Sequence, residues 1–181
     1  MKLRLPDVRD LRGPRCSVSP VSPHAEVGSR PFVAPYWVVP GRLCGSSMPS
    51  CIRDVVFLRE RGVELVVTLM EEHEADILSV HRNCMDCGIR VLHIPVPEFE
   101  TPTMRDVEYV ISEVKDAGGA VCIHCSRGWG RTGVLLCCCL MDLLKLSPEA
   151  ALSHVRSLEP NAASSSKQES FVFEFAKQME K

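Results

Sequence analysis

Residues 120–133 read AVCIHCSRGWGRTG and decide the fold of this chain of 181 residues. The first four are apolar and partly β-branched, which favours a buried strand, and the remainder contains glycines at 128, 130 and 133. The apolar stretch from Val134 to Met141 follows and predicts a buried helix. A strand, a tight glycine-rich loop and a helix N-terminus together aim backbone N–H groups at one point, where a tetrahedral anion can bind.

Two reactive side chains lie in this segment, Cys125 and, six residues later, Arg131. A thiol beside a helix N-terminus and a guanidinium has a pKa of roughly 3.5–7.5 instead of ~8.5, so we expect a thiolate at Cys125. Arginine can hold two phosphate oxygens at once, which lysine cannot do. A thiolate that faces a bound phosphate can attack phosphorus and form a covalent intermediate. A structural cysteine beside a glycine turn would explain neither Arg131 nor the glycines.

The order His124, Cys125, five residues, Arg131, Thr132 resembles the signature of the cysteine-dependent protein phosphatases. Residues 37–43 (WVVPGRL) and 95–99 (PVPEF) also resemble segments of the atypical dual-specificity phosphatases of the protein tyrosine phosphatase superfamily, most closely the small VHZ type. The resemblance extends from about residue 36 to residue 181. It implies an α/β fold with a central, mainly parallel sheet and helices on both faces, which agrees with the alternation of strand-like and helix-like patterns along the chain.

The resemblance also assigns roles within the signature. Cys125 is the nucleophile, His124 sets the shape of the loop, and Thr132 donates its hydroxyl to the departing thiolate. An ordinary helix cap is the alternative role for Thr132. The phosphate is expected to be bound by Arg131 and by the backbone N–H groups of Ser126, Arg127, Gly128, Trp129 and Gly130.

Cleavage of a phosphate ester needs a proton for the leaving oxygen. The family usually supplies it from an Asp on a loop some thirty residues before the cysteine, and this chain has Glu98 at that position. Glu98 is therefore our candidate general acid. Glu100, two residues further on, is the second candidate, and an exposed loop carboxylate is the alternative for both.

The chain divides into two parts. Residues 1–31 contain five prolines and no periodic apolar pattern, so we predict a disordered or loosely attached arm. Its arginines suggest a transit peptide, but Asp7, Asp10 and Glu26 argue against one. Residues 32–181 are predicted to form the phosphatase domain.

Local patterns predict the helices. Ile77, Leu78, His81 and Met85 are expected to share a buried helix face. Ser147-Pro148 predicts a helix start, and residues 166–169 (SKQE) have capping-box spacing.

Composition limits the classes of partner. The formal net charge of −2 indicates neither a nucleic acid nor a membrane, and the longest apolar run, from Val134 to Met141, is far shorter than the ~20 residues that span a bilayer. Ten cysteines without a secretory signal indicate a reducing compartment. We expect a cytoplasmic location, with the nucleus as a second one, and a monomer.

The cysteines suggest two further possibilities. His81, Cys84 and Cys87 have the spacing of zinc ligands, but no fourth ligand is near in sequence, so we expect no metal. The proposed chemistry needs no metal or organic cofactor. Any of Cys44, Cys84, Cys87 and Cys122 could trap an oxidised Cys125 as a disulfide, and the sequence does not choose among them.

The function that follows is hydrolysis of phosphotyrosine and phosphoserine or phosphothreonine in proteins through a phosphocysteine. A phosphoinositide or an RNA 5'-triphosphate is an alternative substrate. The loop lacks the lysines usual in lipid phosphatases, and Gly130 stands where RNA triphosphatases carry Asn. A phosphate-binding module without turnover is the alternative of a different class.

Overall fold

The computed structural model describes residues 32–179, so the predicted arm at 1–31 lies outside the described residues. The described part contains five strands and six helices. In chain order they are β1 (Tyr36–Val39), β2 (Leu43–Ser46), α1 (Ile52–Glu60), β3 (Val63–Thr68), α2 (Ile77–Asp86), β4 (Arg90–His93), α3 (Met104–Asp116), β5 (Ala120–His124), α4 (Gly130–Leu144), α5 (Pro148–Leu158) and α6 (Ser166–Met179).

The strands form one sheet in the order β1-β2-β5-β3-β4. Only the edge pair β1–β2 is antiparallel; β5 pairs in parallel with β2 and with β3, and β3 pairs in parallel with β4. The prediction of a mainly parallel sheet is confirmed. Because β5 is central, its carboxyl end lies where the carboxyl ends of two parallel neighbours meet, which is the usual ligand-binding edge of such sheets.

Helices cover both faces of the sheet, as predicted. Residues of α3, α4, α5 and α6 pack with one face in the larger core, and residues of α1 and α2 pack with the other face in a second cluster. Helix α4 is buried from Arg131 to Met141, which is why its sequence is apolar almost all round. This burial fixes the helix N-terminus directly after β5.

The predicted face of α2 is wrong in part. Leu78 is 69% exposed and Met85 is 64% exposed, whereas Ile77, Val80 and Cys84 face the core. Both sets have helical spacing, and the sheet selects the one that lies beneath it.

The predicted helix starts differ in outcome. Ser147 caps α5, with Pro148 in the first turn, as expected. The capping box predicted for residues 166–169 is wrong: the hydroxyl of Ser165, one residue earlier, accepts the Gln168 N–H at 3.2 Å and caps α6. No helix among residues 32–179 is long and apolar enough to cross a membrane.

Candidate active site

The candidate site forms at the carboxyl end of β5. The strand ends at His124 and α4 begins at Gly130, so residues 125–129 make the turn between them, here called the 125–129 loop. Cys125, at the start of this loop, is 4% exposed and packs in the larger core. The strand, loop and helix of residues 120–144 lie as the sequence predicts.

Gly128 shows why the loop needs a glycine. Its φ of +79° lies in the left-handed region, which side chains rarely adopt. A Cβ atom at this position would also collide with the backbone carbonyl of Ser46 and come within 2.9 Å of the Ser47 nitrogen. The loop therefore lies directly against the chain that leaves β2.

Six consecutive backbone N–H groups, those of residues 127–132, donate to no acceptor in the described part of the chain. The last three belong to the first turn of α4, whose N–H groups have no partner within the helix. A row of unpaired amides at the positive end of a helix dipole favours an anion with several oxygens. This geometry fits the phosphate cup expected from the sequence.

Arg131 is held by protein groups on one end of its guanidinium. Nη1 donates to Glu74 Oε1 at 2.5 Å, to Val96 O at 2.7 Å and to Leu69 O at 3.3 Å, and Nη2 donates to Glu74 Oε2 at 2.7 Å. These bonds occupy both Nη1 hydrogens and one Nη2 hydrogen. The Nε hydrogen and the second Nη2 hydrogen lie on one edge of the planar group and donate to no residue among 32–179, which leaves that edge for a bidentate acceptor.

Charges around Arg131 link the candidate residues. Burial alone lowers the pKa of Arg131, but the hydrogen-bonded Glu74 and the nearby charges of Cys125 and Glu98 outweigh it and raise the pKa. The same guanidinium acts on Glu74: burial alone raises the pKa of that carboxyl, yet the bonds from Arg131 and from the Glu71 N–H hold it below its usual value. Cys125, Arg131, Glu74 and Glu98 therefore lie within electrostatic range of one another.

His124 lies under the loop and is completely buried. Its Nε2 is 2.9 Å from Thr68 Oγ1 and its Nδ1 is 3.4 Å from Cys125 O. Burial is the main cause that lowers the pKa of His124 to about 4, and neighbouring charges on Arg131, His81 and His93 add to it. The ring is thus neutral near pH 7, which suits a supporting role better than transfer of a proton.

Thr132 follows Arg131 in the first turn of α4. The residue is completely buried, and its hydroxyl has no hydrogen-bond partner within the described residues. A buried unpaired hydroxyl is costly, so it is usually associated with a functional need. No hydrogen bond among the described residues supports the alternative in which this hydroxyl caps the helix.

The two candidate acids lie in one turn, in which Glu100 N–H donates to Pro97 O at 3.0 Å. Glu100 forms an ion pair with Lys167 of α6, and its carbonyl accepts Gln168 Nε2 at 3.4 Å. Glu98 is exposed at the tip of the turn, and its charge acts on Arg131. Glu100 is thus engaged by Lys167, and Glu98 is the candidate acid whose charge reaches Arg131.

The other residues expected to bind phosphate lie around the edge of the site. Arg127 is exposed and lies over the Trp129 ring, 5.1 Å from its centroid, and Ser126 is half-buried. Gly130 packs against Gln168, since a Cβ there would come within 2.6 Å of the Gln168 amide.

The structure adds two residues that the sequence did not indicate as part of the site. Glu74 forms a hydrogen-bonded ion pair with Arg131, and the hydroxyl of Tyr36 donates to Gly128 O at 2.6 Å. An acidic residue shortly after the buried strand β3 was a usable signal for Glu74, because β3 ends at the same sheet edge as β5. Tyr36 carried no such signal.

The four cysteines that the sequence suggested as disulfide partners of Cys125 lie on the opposite side of the sheet from it. Cys44, Cys84 and Cys122 pack in the smaller cluster with α1 and α2, whereas Cys125 packs in the larger one. The nine cysteines among residues 32–179 are free thiols. No group of three or more His, Cys, Asp or Glu side chains within that range could hold a metal ion.

Comparison with known proteins agrees with this geometry. Residues 34–172 match the family model described as PTP-SAK: Swiss Army Knife protein, DSP-PTPase phosphatase domain. Protein tyrosine phosphatase domain-containing protein 1 of Bos taurus is 39% identical over 113 residues, which are 61% of this chain and 14% of that protein.

Two further relatives differ in the substrates that their names state. Phosphatidylglycerophosphate phosphatase PTPMT2 of Arabidopsis thaliana is 28% identical over 131 residues, 69% of this chain and 56% of that protein. Dual specificity protein phosphatase CDC14C of Homo sapiens is 30% identical over 132 residues, 68% of this chain and 30% of that protein. The chain thus spans at most 56% of the length of these three relatives.

Solved structures share the fold. Tk-PTP in its active form has a TM-score of 0.70 and 29% identity, with 81% of this chain and 95% of that chain covered. PTPMT1 in complex with PI(5)P has a TM-score of 0.72 over 81% of this chain and 96% of that chain, and its 17% identity shows a common fold alone. The predicted superfamily is confirmed, and the narrower likeness to the VHZ type stays a prediction.

Proposed function

The chain belongs to the DSP-PTPase phosphatase domains of the PTP-SAK family, and from this membership we propose that it hydrolyses phosphate monoesters of proteins through a phosphocysteine. One observation carries the proposal. Cys125 begins a loop in which the amides of residues 127–132 donate to no described acceptor, beside an Arg131 that keeps one edge of its guanidinium for an acceptor. That set of groups matches the shape and charge of a phosphate monoester.

The first step breaks the bond from phosphorus to the leaving oxygen. The Cys125 thiolate attacks phosphorus opposite this oxygen, and a sulfur–phosphorus bond forms as the phosphorus–oxygen bond breaks. Arg131 and the amides of residues 127–132 bind the three other oxygens. Glu98 gives its proton to the departing oxygen, so that a neutral alcohol or phenol leaves.

The second step restores the enzyme. Glu98, now a carboxylate, takes a proton from a water molecule that attacks phosphorus, and inorganic phosphate forms as the sulfur–phosphorus bond breaks. The thiolate leaves next to the Thr132 hydroxyl, whose lack of a partner supports a role as its hydrogen-bond donor. Neither step requires a metal, because Arg131 and the amides carry the charge.

The charges at the rim favour a protein substrate. Lys167 is paired with Glu100, which leaves Arg127 as the exposed base of the loop, and Glu98 adds negative charge at the entrance. An anionic lipid surface attracts clusters of several Lys and Arg residues, and this entrance lacks one among the residues described. We therefore propose phosphorylated proteins as partners. We also propose a monomer in the cytoplasm, with the nucleus as a second location, and the ten cysteines, which suit a reducing compartment, support this location.

Lipid phosphate is the second candidate because a specific relative favours it. The Arabidopsis thaliana relative is named a phosphatidylglycerophosphate phosphatase and matches 69% of this chain. A phosphatidylglycerophosphate or phosphoinositide monoester presents the same dianion to the loop.

Parallel turnover assays separate these functions. Phosphotyrosine, phosphoserine and phosphothreonine peptides are compared with vesicles of phosphatidylglycerophosphate, with phosphoinositide vesicles and with triphosphorylated RNA, each with Cys125→Ser as the control. We expect release of phosphate from the peptides at a higher kcat/KM than from the lipids or the RNA. Preference for a lipid would replace the protein substrate, and no turnover of any substrate would leave a binding module.

A further inference from the structure

Tyr36 of the edge strand β1 contacts the 125–129 loop through a single hydrogen bond. Its hydroxyl donates to Gly128 O at 2.6 Å, across 92 residues of chain. The ring is held above β2, because a Cβ atom at Gly45, its partner across the strand pair, would collide with the Tyr36 ring and hydroxyl. Gly45 therefore provides the space in which this side chain reaches the loop.

The orientation of one peptide group follows from this bond. The described chain has no cis peptide bonds, and in a trans peptide the C=O and N–H point in opposite directions. When Tyr36 draws Gly128 O outward, the Trp129 N–H points the other way. This N–H is one of the six that donate to no described acceptor.

The need for such a restraint comes from Gly128 itself. Glycine has access to more backbone conformations than other residues, so the peptide that follows it can turn over. A reversed peptide would present the Gly128 carbonyl oxygen to the site and repel a dianion. Ser126 shows the same arrangement: its carbonyl accepts the Met48 N–H at 3.3 Å, which turns the Arg127 N–H away from Met48.

We propose that Tyr36 is a positioning residue of the phosphate site: its hydroxyl fixes the peptide between Gly128 and Trp129 so that the Trp129 N–H faces the bound oxyanion. Burial, with the charge of Cys125 as a further cause, raises the pKa of Tyr36 well above its ordinary range, so the hydroxyl stays a donor at every working pH. The inference rests on the proposed function for the nature of the ligand, a tetrahedral oxyanion.

The test measures binding of tungstate, a tetrahedral oxyanion, by calorimetry on the full chain. Tyr36→Phe removes one oxygen atom, and we expect it to weaken tungstate binding roughly 3- to 10-fold, the range of one hydrogen bond of ordinary net strength. Tyr109→Phe is the matched control, since Tyr109 is the other tyrosine of the chain and is half exposed on α3. It should bind tungstate as the wild type does.

Gly45→Ala is the second variant, because it keeps the hydroxyl and displaces it. An added methyl group must push the Tyr36 ring aside, so tungstate binding should weaken here too. The combined variant Tyr36→Phe/Gly45→Ala should lose less than the product of the two single losses, because both changes remove the same bond.

The dissociation constant separates positioning from general stability when it is measured at a temperature at which every variant is fully folded, because a lower melting temperature alone then leaves it unchanged. Tyr36→Phe with a lower melting temperature and an unchanged dissociation constant would overturn the inference and leave the proposed function intact. Failure of the wild type to bind tungstate would instead overturn the proposed phosphate site, and the inference with it.

Discussion

Both carboxylate oxygens of Glu74 accept hydrogen bonds from the Arg131 guanidinium, at 2.5 Å and 2.7 Å. The Glu74 side chain is 10% exposed and the Arg131 side chain is 4% exposed. The pair joins the loop after β3 to the first turn of α4. It aligns the guanidinium and leaves the edge with Nε free for phosphate. Arg131 is thus fixed by the protein before any substrate arrives, which reduces the entropic cost of binding.

Removal of Glu74 should destabilise the fold as well as the site. Glu74→Ala leaves a buried guanidinium without its counter-charge, and breaking a buried ion pair from one side costs roughly 3–5 kcal/mol. We expect a loss of this order in the free energy of unfolding, measured by urea titration at pH 7, and a raised KM for small phosphate esters. Glu72→Ala, at an exposed position in the same loop, should change neither quantity.

Acid should reduce the effect of Glu74→Ala. The carboxyl has a pKa below its usual value in the folded protein, so its stabilisation is complete above the unfolded pKa of ~4.3 and declines as the pH falls through the folded value. The difference in stability between wild type and variant should therefore shrink below about pH 4. A difference that persists unchanged at low pH would show that the pair does not act through charge.

His124 should also make stability rise with pH, but over a higher pH range than Glu74. Its pKa is about 4 in the folded protein and ~6.5 when unfolded, so the unfolded chain binds the extra proton between these values. The free energy of unfolding should therefore rise with pH, and His124 should contribute a gain of about 2 kcal/mol from pH 5 to pH 7.

His124→Gln places an amide where Nε2 contacts Thr68 and removes the titration. Urea titrations of both proteins at pH 5 and pH 7 isolate the contribution, since other histidines titrate in both. An equal change in the free energy of unfolding from pH 5 to pH 7 in both proteins would mean that His124 is not neutral in the folded protein.

Substitution of Thr132 should lower activity without lowering stability. Thr132→Val replaces a buried unpaired hydroxyl by a methyl group, so we expect an unchanged or higher melting temperature. Breakdown of the phosphocysteine should slow roughly 10- to 100-fold, because a hydrogen bond to the departing thiolate is lost. Rapid-mixing kinetics with p-nitrophenyl phosphate should show a burst of p-nitrophenol followed by a slow phase. A variant that is less stable and as fast as the wild type would assign Thr132 to structure.

The general acid can be identified because the rate loss on its substitution depends on the leaving group. Glu98→Gln should slow the first step for phosphotyrosine or phosphoserine peptides roughly 10²- to 10⁴-fold, and much less for p-nitrophenyl phosphate, whose leaving group needs little protonation. The measurement is single-turnover product release.

Glu100→Gln is the matched control. Its ion pair with Lys167 holds the turn, so a modest uniform effect on all substrates is expected. If the rate loss depended on the leaving group in Glu100→Gln and not in Glu98→Gln, Glu100 would be the general acid instead of Glu98.

The loop was predictable from sequence because its determinants are contiguous. The strand, glycines, Cys125 and Arg131 lie within 14 residues, and each residue type fits the conformation it must adopt. The sheet also followed from local patterns, since buried strands alternate with helices along the chain.

The partners of the loop were not predictable, because they come from distant segments. Glu74 is 57 residues from Arg131 and Tyr36 is 92 residues from Gly128, and each partner depends on the order β1-β2-β5-β3-β4. The order is a property of packing, which periodicity does not encode. The exposed Leu78 illustrates the same limit, because helical spacing alone fits more than one face of α2.

The central claim is that Cys125 becomes covalently phosphorylated. Its most direct test is acid quenching of Glu98→Gln during turnover of p-nitrophenyl phosphate, where loss of the base should slow hydrolysis of the intermediate, followed by mass spectrometry of the peptide that contains Cys125. We predict phosphate on the sulfur of Cys125, and neither that adduct nor turnover in Cys125→Ser. Sustained release of p-nitrophenol by Cys125→Ser, or turnover by Glu98→Gln without any phosphorylated Cys125, would contradict the account.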